Sequence, residues 1–275
     1  MSATENRNQE TAPAPPTAPA APADPDGTGF VPRRSGPSAK PLVWQIVGIL
    51  IALGLVLVWL ATADLSATER ATLAPDALWG YTLEHLQLTI VATVIVLVIA
   101  IPLGILLTRG PLRKASGPIV AIANFGQAAP AIGLVVLLAF WVGFGFWASI
   151  IALVGYGILP VLRNTMVGLR QVDERLIEAG RGMGMSAGAV LWKVELPLAV
   201  PVMLAGIRTA LVLLVGTATL ATFINGGGLG ILITTGVNLN LTTVLVAGSL
   251  LVALLALIVD WLGRLVEHIA RPKGL

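Results

Sequence analysis

The chain has 275 residues, 56% of them hydrophobic and only 11% charged, and a formal net charge of +3. A soluble domain carries about 25% charged residues, so this surface must be hidden in a bilayer: the chain reads as an integral membrane protein, and its basic excess reports topology rather than nucleic-acid binding. Cys is absent, which excludes disulfides and thiolate metal sites, and the two His, His85 and His268, lie too far apart to suggest a metal centre.

Residues 1–40 read as a disordered, cytoplasmic tail. Pro13, Pro15, Pro16, Pro19, Pro22 and Pro25 deny it helix, and it lacks the apolar mass that offsets ordering entropy. Leu42 to Ala61 is an apolar run without charge, and about 20 residues cover a hydrocarbon core of roughly 30 Å. Residues 41–62 are therefore the first span, and Arg33, Arg34 and Lys40 before it place the N-terminus in the cytoplasm. Thr62 to Gly80 is a short outer segment.

Leu86 to Leu107 is the second span, entered through Tyr81, Glu84 and His85 and followed by a basic turn, Thr108 to Lys114. Ile119 to Phe140 returns outward and contains Asn124, Gln127 and Pro130. A mid-span proline is tolerated where the helix faces protein or a watery cavity. Phe140, Trp141, Phe144, Phe146 and Trp147 read as an interfacial aromatic belt. Phe146 to Leu162 descends to a long polar loop, residues 163–197. Val200 to Ile224 rises, Asn225 to Gly230 forms a glycine-rich outer turn or gate, and Val244 to Leu262 descends to the segment 264–275. Of the 17 Lys and Arg, Arg70 falls outside and Arg208 within a helix; the others are cytoplasmic, as are both termini.

The polar loop is the place to meet a soluble partner. Asp173 and Glu174 suit a helix start, and Gly180, Gly182 and Gly184 permit a reversal or close approach. Ser186 can cap a second short helix through Trp192, and Pro197 marks the start of the next span. Two short helices beneath the membrane could dock into a groove of another protein or merely cover the helix ends. Arg208, costly inside a span, reads as snorkelling, structurally paired or lining a path. Asn124, Gln127 and Asn225 could line that path or bond between helices.

Glu178-Ala-Gly-Arg-Gly-Met-Gly184 followed by Val194-Glu-Leu-Pro197 resembles the coupling motif of bacterial ABC importer permeases, with Gly180 where a second Ala is usual. Tyr156, Leu159-Pro-Val-Leu-Arg-Asn-Thr165, Gly168-Leu169, Ala205-Gly-Ile-Arg-Thr209 and Gly227-Gly-Leu-Gly230 extend the resemblance to the permease subunits of importers for glycine betaine, carnitine, choline and proline betaine. One stretch departs: Gln127-Ala-Ala-Pro-Ala131 stands where Gln-Thr-Ile-Pro-Ser is usual, which bears on substrate preference.

The resemblance implies an all-α polytopic bundle of about six transmembrane helices in the bacterial inner membrane, with residues 82–263 as the permease core. It implies no catalysis by this chain. No phosphate-binding Gly-x-x-x-x-Gly-Lys-Ser/Thr loop occurs, so ATP and Mg are expected on a separate ATPase. Glu178 and Arg181 would make polar contacts to that subunit; Ala179, Gly180 and Gly184 would keep the loop close to it, and Leu196 and Pro197 would complete the motif. Tyr156 and Pro130 join Asn124, Gln127, Arg208 and Asn225 as candidate path residues, and Trp141, Phe144, Trp147 and Tyr156 are candidates to hold a quaternary ammonium on their aromatic faces, as the alternative to the interfacial belt. A second permease, identical or related, and an extracytoplasmic binding protein are the other partners implied. The competing readings are a permease for methionine, a phosphonate or another small solute, an ion-coupled secondary transporter, and a membrane scaffold without transport activity. Ion coupling would usually place acids or His inside the spans, whereas Glu84 and Asp260 read as lying at helix ends.

Overall fold

The computed structural model describes residues 40–270; the expected tail before Lys40 and residues 271–275 lie outside the described residues. Among the described residues the regular elements are helical. They begin with α1 (Lys40–Thr62), the short α2 (Ala67–Thr72) and α3 (Pro75–Leu107), and continue with α4 (Ser116–Ala128), α5 (Ala131–Val142) and α6 (Phe146–Arg170). Then come α7 (Glu174–Gly182), α8 (Ala187–Val190), α9 (Leu196–Ala218), α10 (Gly230–Asn238) and α11 (Thr242–Ala270). Among the described residues five helical runs are long and apolar enough to cross a membrane: α1, α3, α6, the run 187–224 through α9, and α11. The sixth expected span is not one straight helix. The piece 110–128 and α5 meet at 100°, because Pro130 holds Ala129 in extended backbone (φ −62°, ψ 143°) and so ends α4.

Helix α6 is the centre of the bundle, with α3 and α9 against it. Leu88, Ala92, Ile150, Leu153, Leu214 and Ala218 form one buried cluster, and Val96, Leu107, Val161, Leu162 and Ala210 another. Lipid tails are as apolar as leucine, so helices in a bilayer associate by close fit and favour small residues at their seams. A Cβ on Gly104 would lie 2.7 Å from Thr165, and one on Gly168 would lie 3.0 Å from the Ala199 carbonyl. One on Gly206 would strike Asn164 of α6. Overpacking typically costs about 1–3 kcal/mol. Gly206→Val is therefore expected to lower the thermal unfolding midpoint of the detergent-solubilised protein. Gly216→Ala, with nothing within 4 Å on the same helix, should leave it near the wild-type value.

Helix α1 lies at the edge, with exposed Trp44, Leu55 and Val58 on its outer face. It is held to α11 by Ile49, Val56 and Leu254 and by the Trp261 indole N–H, which donates to the Leu42 carbonyl at 2.9 Å.

Three further boundaries differ from expectation. Helix α6 runs on to Arg170, so Arg163 sits on a helix and the polar loop begins near Gln171. The second short helix does not stop at Trp192. Helix α8 passes through a π-helical turn, Leu191–Glu195, into α9, and the Leu196 N–H reaches back to Leu191. That wider turn keeps the run continuous just before Pro197, which lacks an N–H to give. Finally, the glycine segment after α9 leads into α10, which packs on α11 through Leu232 and Val244. A Cβ on Gly236 would lie 2.5 Å from Leu245, so a short apolar stretch read as connection is a packed helix.

Candidate functional site

Helix α7 starts on Asp173, whose carboxylate accepts the Arg175 N–H at 2.9 Å. Glu174 in its first turn and Arg181 in its last both complement the helix dipole. Its end is a closed turn: the Met185 N–H reaches the Gly180 carbonyl at 3.1 Å and the Gly184 N–H reaches Arg181 at 2.9 Å. This two-bond pattern places Gly184 one residue past the cap, where a left-handed backbone is required, and its φ is +83°. Ser186 then caps α8 through the Ala189 N–H at 3.3 Å.

Gly180 is buried, and a Cβ there would meet Val190 at 3.3 Å, so its smallness serves the packing of α7 on α8. Glu178, Ala179, Arg181 and Gly184 are exposed. So are three apolar side chains of the same loop, Leu176, Met183 and Trp192, the last two at 72%. Exposed apolar side chains on a polar loop have the chemistry of a surface that can dock into a groove of a partner.

The opposite side of α7 lines a recess of about 650 Å³. Glu174, Ile177, Glu178 and Arg181 face Thr108 and Arg109 at the end of α3, Arg113 beyond it, and Arg170 at the end of α6. At its floor the Arg109 guanidinium pairs with Glu195 at 2.5 Å. Glu195 is buried, so this bond ties the end of α3 to the π-helical turn that joins the loop to α9. Neither residue stands out in the sequence as a pair. The available signal was a carboxylate set between Val194 and Leu196-Pro197, at the start of an apolar run. Leu196 packs near Leu169, Ala199 and Met203; Pro197 is exposed.

The candidate path residues fall in three places. Asn124, Gln127, Pro130 and Tyr156 gather where the α4–α5 break meets α6. Arg163 donates to the Asn124 side chain at 3.1 Å, and Gln127 is half-buried one turn on. Tyr156 is buried and donates its hydroxyl to the Ala129 carbonyl. That carbonyl is among those left without a helical donor by the proline. Arg208 lies elsewhere, midway along α9, paired with Asp260 at 3.4 Å and Glu267 at 3.1 Å on α11. Asn225 is exposed and caps the 3-10 turn after α9 in a left-handed conformation, φ 60°. Phe140, Trp141, Phe144 and Trp147 are exposed.

Two acids expected at helix ends are not there. Glu84 lies well inside α3, where its carboxylate accepts the Gly228 N–H at 2.9 Å, and Asp260 lies inside α11, bonded to Arg208, Arg264 and Gln45. Beside Glu84, His85 is fully buried. Both helices extend past the hydropathy-defined limits of their spans, which places these acids within the helices and not at their ends.

Comparison with known proteins agrees with the loop and the bundle. The family model described as binding-protein-dependent transport system inner membrane component matches residues 100–271. The glycine betaine/carnitine/choline transport system permease protein OpuCB of Bacillus subtilis is 40% identical over 192 residues, 70% of this chain and 88% of that protein. The osmoprotectant import permease protein OsmW of Salmonella typhimurium is 36% identical over 199 residues, 70% of this chain and 92% of that one. Among solved structures, the inward-facing MetNI methionine ABC transporter contains a chain that superposes with a TM-score of 0.62 at 26% identity. The match covers 71% of this chain and 96% of that one. The protein belongs to the family of binding-protein-dependent transport system inner membrane components.

Proposed function

We propose that this chain is the membrane-spanning subunit of an ABC importer for a quaternary-amine osmoprotectant such as glycine betaine, carnitine or choline. The observation that carries the proposal is the exposed loop of α7 and α8, rigidly capped at Gly184 and built into α9 through Glu195, in a chain 40% identical to a permease named for those three cargoes. A loop fixed in this way can transmit force: movement of a docked partner shifts the start of α9 and, through Arg109, the end of α3. The partner is an ATPase that binds and hydrolyses ATP with Mg on its own chain. The transport unit pairs this permease with a second copy or a related one, and an extracytoplasmic binding protein delivers the cargo. The basic residues near α7, at the ends of α3 and α6, make that end cytoplasmic and the Glu84 end extracytoplasmic.

A second reading, a permease for methionine, is favoured by the superposition on the methionine transporter and by Ala128 and Ala131, which stand where the permeases it resembles carry Thr and Ser. Uptake of labelled glycine betaine at high osmolarity decides between them, measured in a deletion strain with and without this gene and with unlabelled methionine as competitor. Restoration of uptake by the gene, unaffected by methionine, is the expected result. No restoration, in a strain lacking parallel betaine systems, overturns the cargo.

A further inference from the structure

At the end of the bundle away from α7, the junction of α9 and α10 is held by two adjacent residues of α3. Helix α9 tightens into a 3-10 turn, Thr219–Ile224, and the Thr219 N–H turns to Gly216 and Thr217. The Val215 carbonyl, which a regular helix would pair with that N–H, instead meets His85 Nε2 at 2.9 Å. The same ring accepts the Leu229 N–H on Nδ1 at 3.3 Å. A carbonyl only accepts and an amide N–H only donates, so the contacts specify neutral His85 with its hydrogen on Nε2. Glu84 takes the neighbouring Gly228 N–H. The pair thus satisfies a carbonyl at the end of α9 and two amides at the start of α10.

The glycine segment is shaped to these side chains. A Cβ on Gly227 would lie 2.6 Å from the Glu84 carboxylate, and one on Gly228 would lie 3.0 Å from His85 Nδ1. One on Gly226 would strike Ser149 of α6, and one on Gly230 the Thr219 carbonyl. The Gly145 N–H before α6 donates to the Ile224 carbonyl at 2.7 Å. Four elements, α3, α6, α9 and α10, therefore meet at one point through polar and backbone contacts, at a break in the helical run. Gly227 and Gly228 have φ of +85° and +89°, a backbone suited to a pivot.

We infer that Glu84 and His85 are positioning residues that latch the α9–α10 junction and keep the extracytoplasmic end of the path closed until the ATPase moves α9 from its other end. The inference rests on the transport function proposed above. A latch and a passive brace differ in coupling: loosening a latch lets ATP be spent without cargo, whereas loosening a brace lowers all activities together.

The test uses the full complex with its ATPase and binding protein in liposomes, reading glycine betaine uptake and ATP hydrolysis in the same vesicles. Gln at position 85 can accept from Leu229 through its amide oxygen and donate to Val215 through its amide nitrogen; Ala can do neither. His85→Gln is expected to keep most of the wild-type uptake per ATP. His85→Ala is expected to hydrolyse ATP without binding protein, with uptake per ATP reduced at least about fivefold, the ratio that either one of its two lost hydrogen bonds carries. Glu84 is exposed, so Glu84→Ala carries the same test if His85→Ala does not assemble. Variants whose uptake and hydrolysis fall together, at the wild-type ratio, overturn the latch. If the wild type takes up no glycine betaine, the transport proposal loses its cargo. The latch is then judged on binding-protein-independent hydrolysis alone, which should still rise in the Ala variants and not in His85→Gln.

Discussion

Arg208→Met is expected to destabilise the protein by about 2–3 kcal/mol, less than the roughly 3–5 kcal/mol for breaking a fully buried ion pair, because the Arg208 side chain is 29% exposed. The guanidinium sits midway along α9 between two carboxylates of α11, Asp260 and Glu267, whose side chains are only 17% and 16% exposed. Carboxylates removed from water are stabilised chiefly by their partners, so a methionine of similar length keeps the packing and removes the positive charge. The loss is limited because Asp260 keeps two partners, the Arg264 guanidinium at 2.8 Å and the Gln45 amide at 3.1 Å. Thermal unfolding of the purified protein in detergent measures the effect. Adding Asp260→Asn and Glu267→Gln to Arg208→Met should recover part of it, since two negative charges beside the methionine are then removed. Recovery would identify uncompensated charge as the cause; a further fall would mean that packing around the Arg208 stem dominates. Gly263 makes that second outcome a real competitor, because it lets α11 approach the stem so closely that a Cβ there would lie 2.8 Å from the Arg208 side chain.

Gly184→Val should abolish most uptake while leaving membrane insertion intact. The sequence alone suggested that a small residue lets the loop sit close to its partner. The structure adds a different requirement. Nothing lies within 4 Å of a Cβ built at Gly184, yet its φ of +83° is a conformation that L side chains avoid. A β-branched residue there is strained by roughly 1–3 kcal/mol, enough to depopulate the turn that aims α8 away from α7 by about five- to 150-fold. Gly188, also with open space around it and without positive φ, should accept Val far better. Asn tolerates left-handed backbone better than other non-glycine residues, so Gly184→Asn separates the two explanations. Retained uptake would assign Gly184 to the turn, and loss equal to that of Val would assign it to clearance beneath the ATPase. The readouts are betaine uptake and the amount of permease in the membrane fraction.

What the residues determined by themselves is the class of molecule and the order of its spans. Hydropathy is local: each window of about 20 apolar residues chooses the bilayer independently, so α1, α3, α6, α9 and α11 were legible without their neighbours. The break at Pro130 was legible for the same reason, since proline acts on its own backbone and the residue before it. The loop after α6 was visible as a polar island, although Arg163 to Arg170 proved to be helix, because hydropathy marks the membrane boundary and not the helix end.

Tertiary structure alone decided what the polar side chains do. Arg208 could have snorkelled, paired or lined a path until Asp260 and Glu267 were found beside it. Gln45 and Asp260 are 215 positions apart, and His85 and Val215 are 130 apart. Tyr156, a candidate for holding a cation, is turned to the carbonyl of Ala129. The glycines after Asn225 read as an outer turn or a gate, and most of them are contact points against Glu84, His85, Ser149 and Thr219. Polar groups in a low-dielectric interior must find partners. Which partner each one finds depends on how the helices pack side by side, and that information resides in no single stretch of the chain.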